Sequence, residues 1–250
     1  AHAEASAGSA VSAEGIAVTA PLAVHVDALL AGKAVAYTRP GAISAIAKRP
    51  CIGAVRIGEL GLEGDEQGDP RVHGGIDKAV HHYPFDHYSA WRSELGDTPV
   101  LQQPGAFGEN ISTRGMTEAT VCLGDRFQLG SALLEISQGR QPCWKLNDRF
   151  SLPDMARRVQ TTGRCGWYYR VLQAGDACTG DTLTLRERPH PDWPLTRLTQ
   201  LLYGRALDPA QLKPALVLPL VPSWRKLIER RLQQGTVEDW DKRINGPMQD

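Results

Sequence analysis

Val121-Cys122-Leu123-Gly124-Asp125-Arg126-Phe127-Gln128-Leu129-Gly130-Ser131-Ala132-Leu133-Leu134-Glu135-Ile136-Ser137 contains two runs of alternating apolar and polar residues, divided at Leu129-Gly130-Ser131. Alternation with period two puts one face of each run in a core, and a Gly-centred break between the runs is a hairpin signal. Similar runs stand at residues 33–38, 43–47, 79–83, 166–172 and 182–186, and Gly124-Asp125 and Gly180-Asp181 each lead into one. Many short strands joined by Gly turns predict a mostly β domain over residues 24–188, a closed barrel or a sandwich. Two helices interrupt it. Pro84 opens one that runs to Leu95 with Tyr88, Trp91 and Leu95 on one face. The other runs from Ser151 to Gln160, with Ser151 and Asp154 as its capping pair.

Past Pro189 the pattern changes. His190-Pro191-Asp192-Trp193-Pro194 reads as a linker. Beyond it Leu195, Leu198, Leu201 and Leu202 recur at helical spacing, Asp208-Pro209 opens a short helix, and a last periodic run from Pro222 holds Trp224, Leu227, Ile228, Arg231 and Leu232 before Gly235. The organisation expected is a flexible Ala/Ser/Gly-rich tail at 1–23, a barrel domain at 24–188, and a linker with a helical extension at 189–250. Trp224 and Trp240 are expected in its packing, with a homodimer contact as their alternative use.

The 28 basic and 28 acidic side chains cancel in a chain of 250 residues that is 42% hydrophobic. A sizeable core is therefore available, and no global field draws the chain to a nucleic-acid polymer or a membrane surface, so any anion site is local. No apolar run approaches the roughly 20 residues of a membrane span. Five widely spaced cysteines, an odd number without a CxxC pair, argue against a disulfide framework, a zinc ribbon or an iron–sulfur centre and fit a reducing, cytoplasmic setting. Neither GxxxxGK[ST] nor GxGxxG occurs, so no nucleotide site is legible.

Polar chemistry concentrates in three loop-like stretches, at residues 61–75, 107–113 and 138–147. In the third, Cys143 follows Pro142 and lies between Arg140 and Lys145. Cationic neighbours favour thiolate over thiol, and a thiolate serves as a nucleophile or as a soft-metal ligand. The alternative, a buried apolar cysteine, is the reading for Cys51, Cys122, Cys165 and Cys178. In the first stretch His73 precedes Gly74-Gly75, with Arg71 and Lys78 close by: an oxyanion cradle or a hydrogen-bonded turn. Glu109-Asn110 could cap a helix or line a pocket. His81 and His82 would face opposite sides of one strand, with His87 on the next helix, an arrangement read as structural rather than zinc-binding.

Taken together, Gly61-Leu62-Glu63-Gly64-Asp65, His73-Gly74-Gly75, Phe107-Gly108-Glu109-Asn110, Val121-Cys122-Leu123-Gly124-Asp125 and Arg140-Gln141-Pro142-Cys143-Trp144-Lys145-Leu146-Asn147 resemble, in order, the motifs of the MOSC family, named for the C-terminal domain of molybdenum cofactor sulfurase. The resemblance covers residues 24–188, and the tail resembles the three-helix extension of a bacterial branch that includes the protein conferring resistance to hydroxylaminopurine. One departure is Gly139, where relatives usually have Pro; a looser turn before Arg140 is expected. The resemblance implies a MOSC-type β-barrel with interspersed helices, holding a molybdenum cofactor (molybdopterin with Mo) in a positively lined cleft. By position, Cys143 is the implied molybdenum ligand and catalytic residue. Lys48, Arg71, His73, Arg140 and Lys145 are expected on the phosphate and pterin, with Asn110, Ser112 and Asn147 on the pterin edges.

The implied activity is reduction of N-hydroxylated compounds, hydroxylaminopurine-like bases and hydroxylamines, by oxygen-atom transfer at a Cys-ligated molybdenum. Electrons would come from a partner reductase, a flavin or iron–sulfur protein. The competing readings are a non-catalytic carrier of the cofactor or its sulfur, and a cysteine hydrolase or transferase with Cys143 as nucleophile and His73 as base.

Overall fold

The computed structural model describes residues 22–68 and 74–247. Most of the expected N-terminal tail, and Arg71 and His73, lie outside the described residues. Among those described, seven strands close a barrel: β1 (Ala23–Ala31), β2 (Val80–Pro84), β3 (Ile111–Thr113), β4 (Arg126–Leu129), β5 (Ala132–Gly139), β6 (Trp167–Gln173) and β7 (Thr182–Glu187). The order is β7-β4-β5-β6-β2-β3-β1, and a further β7–β1 pairing closes the ring. The β2–β3 pair is parallel, and the other neighbours in the ring are antiparallel. Closure removes the sheet edges that an open sandwich would leave.

The β4–β5 hairpin has the register its alternation requires, with Leu129 opposite Ala132 and Phe127 opposite Leu134. Phe127, Leu129 and Leu134 are fully buried. Gly130 sits in the turn at φ +54°, and a Cβ there would stand 2.1 Å from the Asp176 carbonyl oxygen, so the turn admits only glycine. Each Gly-Asp turn is closed by its carboxylate: Asp125 accepts from the Cys122 N–H at 2.9 Å and Asp181 from the Cys178 N–H at 2.7 Å.

Several expectations need correction. Strand β1 is long but absent from the predicted strands, because its Ala and Leu content mutes the period-two signal. Residues 33–38 and 43–47 contribute only the short pair Val35–Ala36 and Ile43–Ser44, with Val35 and Ile43 about half exposed. The helix predicted from Ser151 to Gln160 begins later, as α3 (Met155–Thr162), and an unpredicted α2 (Lys145–Phe150) precedes it, both following α1 (Asp86–Leu95). Ser151 ends α2 in the left-handed region at φ 53°, and Asp154 stands at the N-cap of α3.

The extension consists of α4 (Leu195–Tyr203), α5 (Pro209–Leu212) and α6 (Pro222–Gln234), with a further short α7 (Asp241–Asn245). Asp208 caps α5 by accepting from the Ala210 N–H at 2.9 Å, and Gly235 ends α6 in the left-handed region. Leu195, Leu198, Leu202, Trp224 and Ile228 share one apolar cluster with barrel residues Phe127, Leu134, Ile136 and Trp167. The extension therefore completes the barrel's core. Trp224 is buried, and Trp240 is half-buried against the edge of Tyr203. No described helix is long and apolar enough to cross a membrane, and no disulfide joins any of the five cysteines.

His82 lies inside the barrel wall, its Nδ1 3.0 Å from the Tyr169 hydroxyl and its Nε2 2.9 Å from Thr113 Oγ1. Burial pulls its pKa from 6.5 down to about 3. A depressed histidine contributes stability that is present above the unfolded-state value and is lost as pH falls toward the folded one. Between pH 6.5 and about 3 the unfolded chain binds a proton that the folded barrel refuses, a loss of a few kcal/mol in total. The melting temperature of the wild type should fall more steeply across this window than that of His82→Gln. Parallel pH profiles would contradict it.

Candidate functional site

Strand β5 delivers the cysteine loop. Its ladder with β6 runs through the Gly139–Trp167 pair, and the Arg140 N–H then donates to the Gly166 carbonyl at 3.0 Å. Gly139 does not loosen this approach. A Cβ there would meet Thr199 Cγ2 at 3.1 Å and the Trp224 ring at 3.4 Å, so strand pairing and the packed extension hold the position. The loop then turns through Pro142, and the Cys143 carbonyl accepts from the Leu146 N–H at 3.0 Å as α2 begins. Cys143 is 6% exposed, on the wall of a narrow cleft of about 90 Å³.

Lys48, Asn110, Arg140 and Lys145, all expected at the site, line this cleft with Cys143. Their bonding differs. Lys48 pairs with Asp65, whose carboxylate also accepts from the Gly32 N–H at 2.7 Å and from Asn110 Nδ2 at 2.8 Å. Asn110 Oδ1 accepts from the His81 N–H at 2.9 Å, so this asparagine staples strands and cleft wall together. Lys145 donates to the Ile43 carbonyl at 2.6 Å. Arg140 is 5% exposed, and its Nη1 has no hydrogen-bond partner among the described residues.

Two expected contacts lie elsewhere. Ser112 is fully buried on β3 and does not line the cleft. Asn147 Nδ2 donates to the Ile244 carbonyl at 2.9 Å and its Oδ1 accepts from the Ala156 N–H at 2.7 Å, joining α2, α3 and α7 behind the cysteine.

Lys78, expected near an oxyanion cradle at His73, lines this cleft, together with His81 and Tyr168, which sequence reasoning did not assign to it. The electrostatics around them is tightly knit. Burial pushes the Lys78 ammonium down, while the neighbouring Cys143 and Asp77 side chains oppose this. Burial pushes the Tyr168 phenol up, and the Arg140 guanidinium opposes this. Burial, and then the Arg140 cation, hold His81 well below the usual imidazole range. Tyr37 rises to about 12 by burial, its hydroxyl donating to the Lys145 carbonyl at 2.9 Å. A signal for Tyr168 did exist in the alternation of Trp167, Tyr169 and Val171, which places Tyr168 and Arg170 on the opposite face of the strand.

Cys143, Lys78, Lys145 and Tyr168 also border a wider vestibule of about 770 Å³, walled by Arg39, Ile43, Trp144, Lys242 and Arg243 among others. The cysteine thus stands between a narrow basic cleft and an open mouth. No group of three or more His, Cys, Asp or Glu among the described residues could hold a metal ion. A metal here would take one protein thiolate and draw its remaining donors from a bound ligand. Buried Arg140, with an unused donor, suits the anionic part of such a ligand.

Residues 69–184 match the MOSC domain family and residues 193–235 match the YiiM-like 3-alpha helix domain. Protein YiiM of Escherichia coli is 40% identical over 216 residues, 86% of this chain and 96% of that protein. The chain belongs to the MOSC family. Its YiiM-type character extends to structure. The crystal structure of YiiM from Escherichia coli superposes with a TM-score of 0.75 at 33% identity, covering 90% of this chain and 99% of that one. YiiM from Geobacillus stearothermophilus gives 0.71 at 33% identity over 84% and 99%. A protein of Gibberella moniliformis named a reductase is 40% identical over 191 residues, 76% of this chain but 34% of the fungal protein. The MOSC barrel and its helical extension are thus shared features.

Proposed function

We propose that this MOSC protein is a molybdenum-cofactor-dependent reductase of N-hydroxylated compounds, with Cys143 as the protein ligand to molybdenum. The observation that carries the reading is the placement of one thiolate-forming residue at the junction of a basic cleft and an open vestibule. Membership of the MOSC family and the reductase name of the fungal relative support the same chemistry. Overall, R–NHOH, two electrons and two protons become R–NH2 and water. When bound, the cofactor supplies the two-electron redox chemistry and the affinity for oxygen that this conversion needs.

The chain's own groups have separable tasks. Cys143 supplies a soft, anionic sulfur, which suits molybdenum better than a hard oxygen ligand. Arg140, with Nη1 unused, and Lys145 and Lys78 on the same wall, hold the anionic cofactor in the inner cleft. Lys48 contributes indirectly, since Asp65 already meets its charge. Bound there, the cofactor leaves its N-hydroxylated partner to enter through the vestibule. Tyr168 and Lys78 border both spaces and are placed to hydrogen-bond the entering N–OH group. A separate reductase delivers the electrons.

The test is to purify the full chain from a host that makes molybdopterin, measure molybdenum per chain, and assay hydroxylaminopurine reduction with a reduced dye as donor. Near-stoichiometric molybdenum with turnover to adenine is expected. Bound molybdenum without turnover under any donor would make the chain a cofactor carrier. Turnover without metal would point to cysteine nucleophilic chemistry.

A further inference from the structure

The peptide groups on both sides of Cys143 are held by a single distant residue. Arg243 Nη1 donates to the Pro142 carbonyl, and the Arg243 carbonyl accepts from the Trp144 N–H at 2.8 Å. Its other arm is anchored, Nη2 donating to Gln160 Oε1 at 2.6 Å on α3. From the opposite side, the Arg39 guanidinium lies 4.2 Å over the Trp144 ring and donates to the Asn245 carbonyl at 2.8 Å. Residues 243–245 are therefore wrapped against the cysteine loop. They are also tied to the extension: Glu238 takes Arg231 at 2.7 Å and Trp240 Nε1 at 2.7 Å, just before α7 begins.

We propose that Arg243 is a positioning residue for Cys143, fixing the thiol at the cleft wall through Pro142 and Trp144 and coupling the helical extension to the site. The proposal rests on the reading of Cys143 as the working residue. It adds a role for the C-terminal segment that the core packing of α4 and α6 does not require. Without the Arg243 side chain the Pro142 carbonyl loses its donor and the loop loses its tie to Gln160 on α3, leaving the bond from the Trp144 N–H to the main-chain carbonyl of residue 243 to hold it from one side. Loops released in this way open locally while the surrounding core stays folded.

The experiment uses the full chain purified without cofactor, so that its readout is independent of turnover. Iodoacetamide labelling of each cysteine is followed by peptide mass spectrometry across pH, up to the plateau where the rate reports access rather than ionisation. Cys178, half-buried and distant in sequence, is the internal reference. Arg243→Ala should raise the Cys143 plateau rate about tenfold, Gln160→Ala about threefold, and Arg243→Lys, which can keep the Pro142 bond, less than about threefold. Gln160→Ala and Arg243→Lys carry the test if Arg243→Ala does not fold. Cys143 rates within roughly twofold of wild type in every variant would overturn the proposal, as would an equal acceleration of Cys178, the mark of general loosening. Molybdenum content of the same variants from a molybdopterin-making host separates the two readings. A metal-free wild type whose Cys143 still accelerates in Arg243→Ala supports the clamp and removes only the cofactor reading.

Discussion

Cys143→Ser is expected to leave the chain folded and to remove its molybdenum and its turnover. The substitution changes one atom in a site that is 6% exposed, so packing is nearly conserved, and the melting temperature should move by no more than about 2 °C. The chemistry changes far more. A serine hydroxyl stays protonated at neutral pH and offers a hard oxygen, whereas a thiolate is soft and anionic. No cluster of three or more His, Cys, Asp or Glu stands among the described residues to take over the metal. Molybdenum per chain should therefore fall by more than about tenfold, and reduction of hydroxylaminopurine by about a thousandfold, since the metal carries the redox step. Elemental analysis and a dye-coupled assay on the same preparation check both. Full molybdenum content with full turnover would remove Cys143 from the mechanism. Arg140→Leu offers a contrast, because it deletes a donor to the anion but leaves the thiolate.

The second large effect is expected at a residue remote from the cleft. Arg231 on α6 is fully buried and spends its guanidinium on the carbonyls of Leu202 at 2.8 Å, Leu201 at 3.2 Å and Ala206 at 3.3 Å, and on Glu238 at 2.7 and 2.9 Å. Arg231→Ala leaves the Leu202 and Ala206 carbonyls without this donor, the Leu201 carbonyl with its 3.4 Å bond from the Ala206 N–H, a carboxylate without its cation, and a void between α4 and α6. Breaking a buried pair of this kind costs about 3–5 kcal/mol. For a chain of this length that corresponds to a drop in melting temperature of roughly 10 °C. Arg231→Lys keeps the charge but cannot reach all the carbonyls, and should recover only part of the loss. Because Glu238 anchors the segment that reaches Cys143, labelling of Cys143 should also accelerate in Arg231→Ala. A fall of less than about 2 °C would show that solvent satisfies these groups and that the extension is not held by this arginine.

The parts of the fold legible in sequence are those governed by neighbours a few residues apart. Phe127 and Leu129 alternate with Arg126 and Gln128, and they form half of the expected hairpin. Asp208 before Pro209 caps α5, and Gly235 stops α6. Where two local signals compete, the reading slips. Ser151 looks like a helix start because Asp154 follows it, yet Ser151 closes α2 and Asp154 opens α3. Strand β1 escapes the period-two reading because Ala28, Leu29, Leu30 and Ala31 carry no polar alternation, and Ala28 to Leu30 are buried in succession.

For the site, the three polar stretches do converge: Asp65 and Gln67, Gly108 and Asn110, and Arg140, Cys143 and Lys145 all line one cleft. Residue type and motif order were enough for that. They were not enough to tell a wall residue from a strut. Asn147 has the same polar character as Asn110 and stands in the same stretch as Cys143, but its amide is spent on Ile244 and Ala156, away from the cleft. Ser112 belongs to a strand whose pairing buries it.

By itself, then, the sequence of this MOSC protein determined the strand-and-turn grammar and the helical extension, because period, capping and turn chemistry act over a handful of residues. Tertiary structure alone decided that the ring closes between β1 and β7, that Lys78 and Tyr168 share the cleft with Cys143, and that Arg243 holds the peptide groups around it. Those contacts join positions far apart in the chain. Strand register and core packing select them, and no short-range pattern encodes which distant side chain a closed barrel will bring to a given point on its wall.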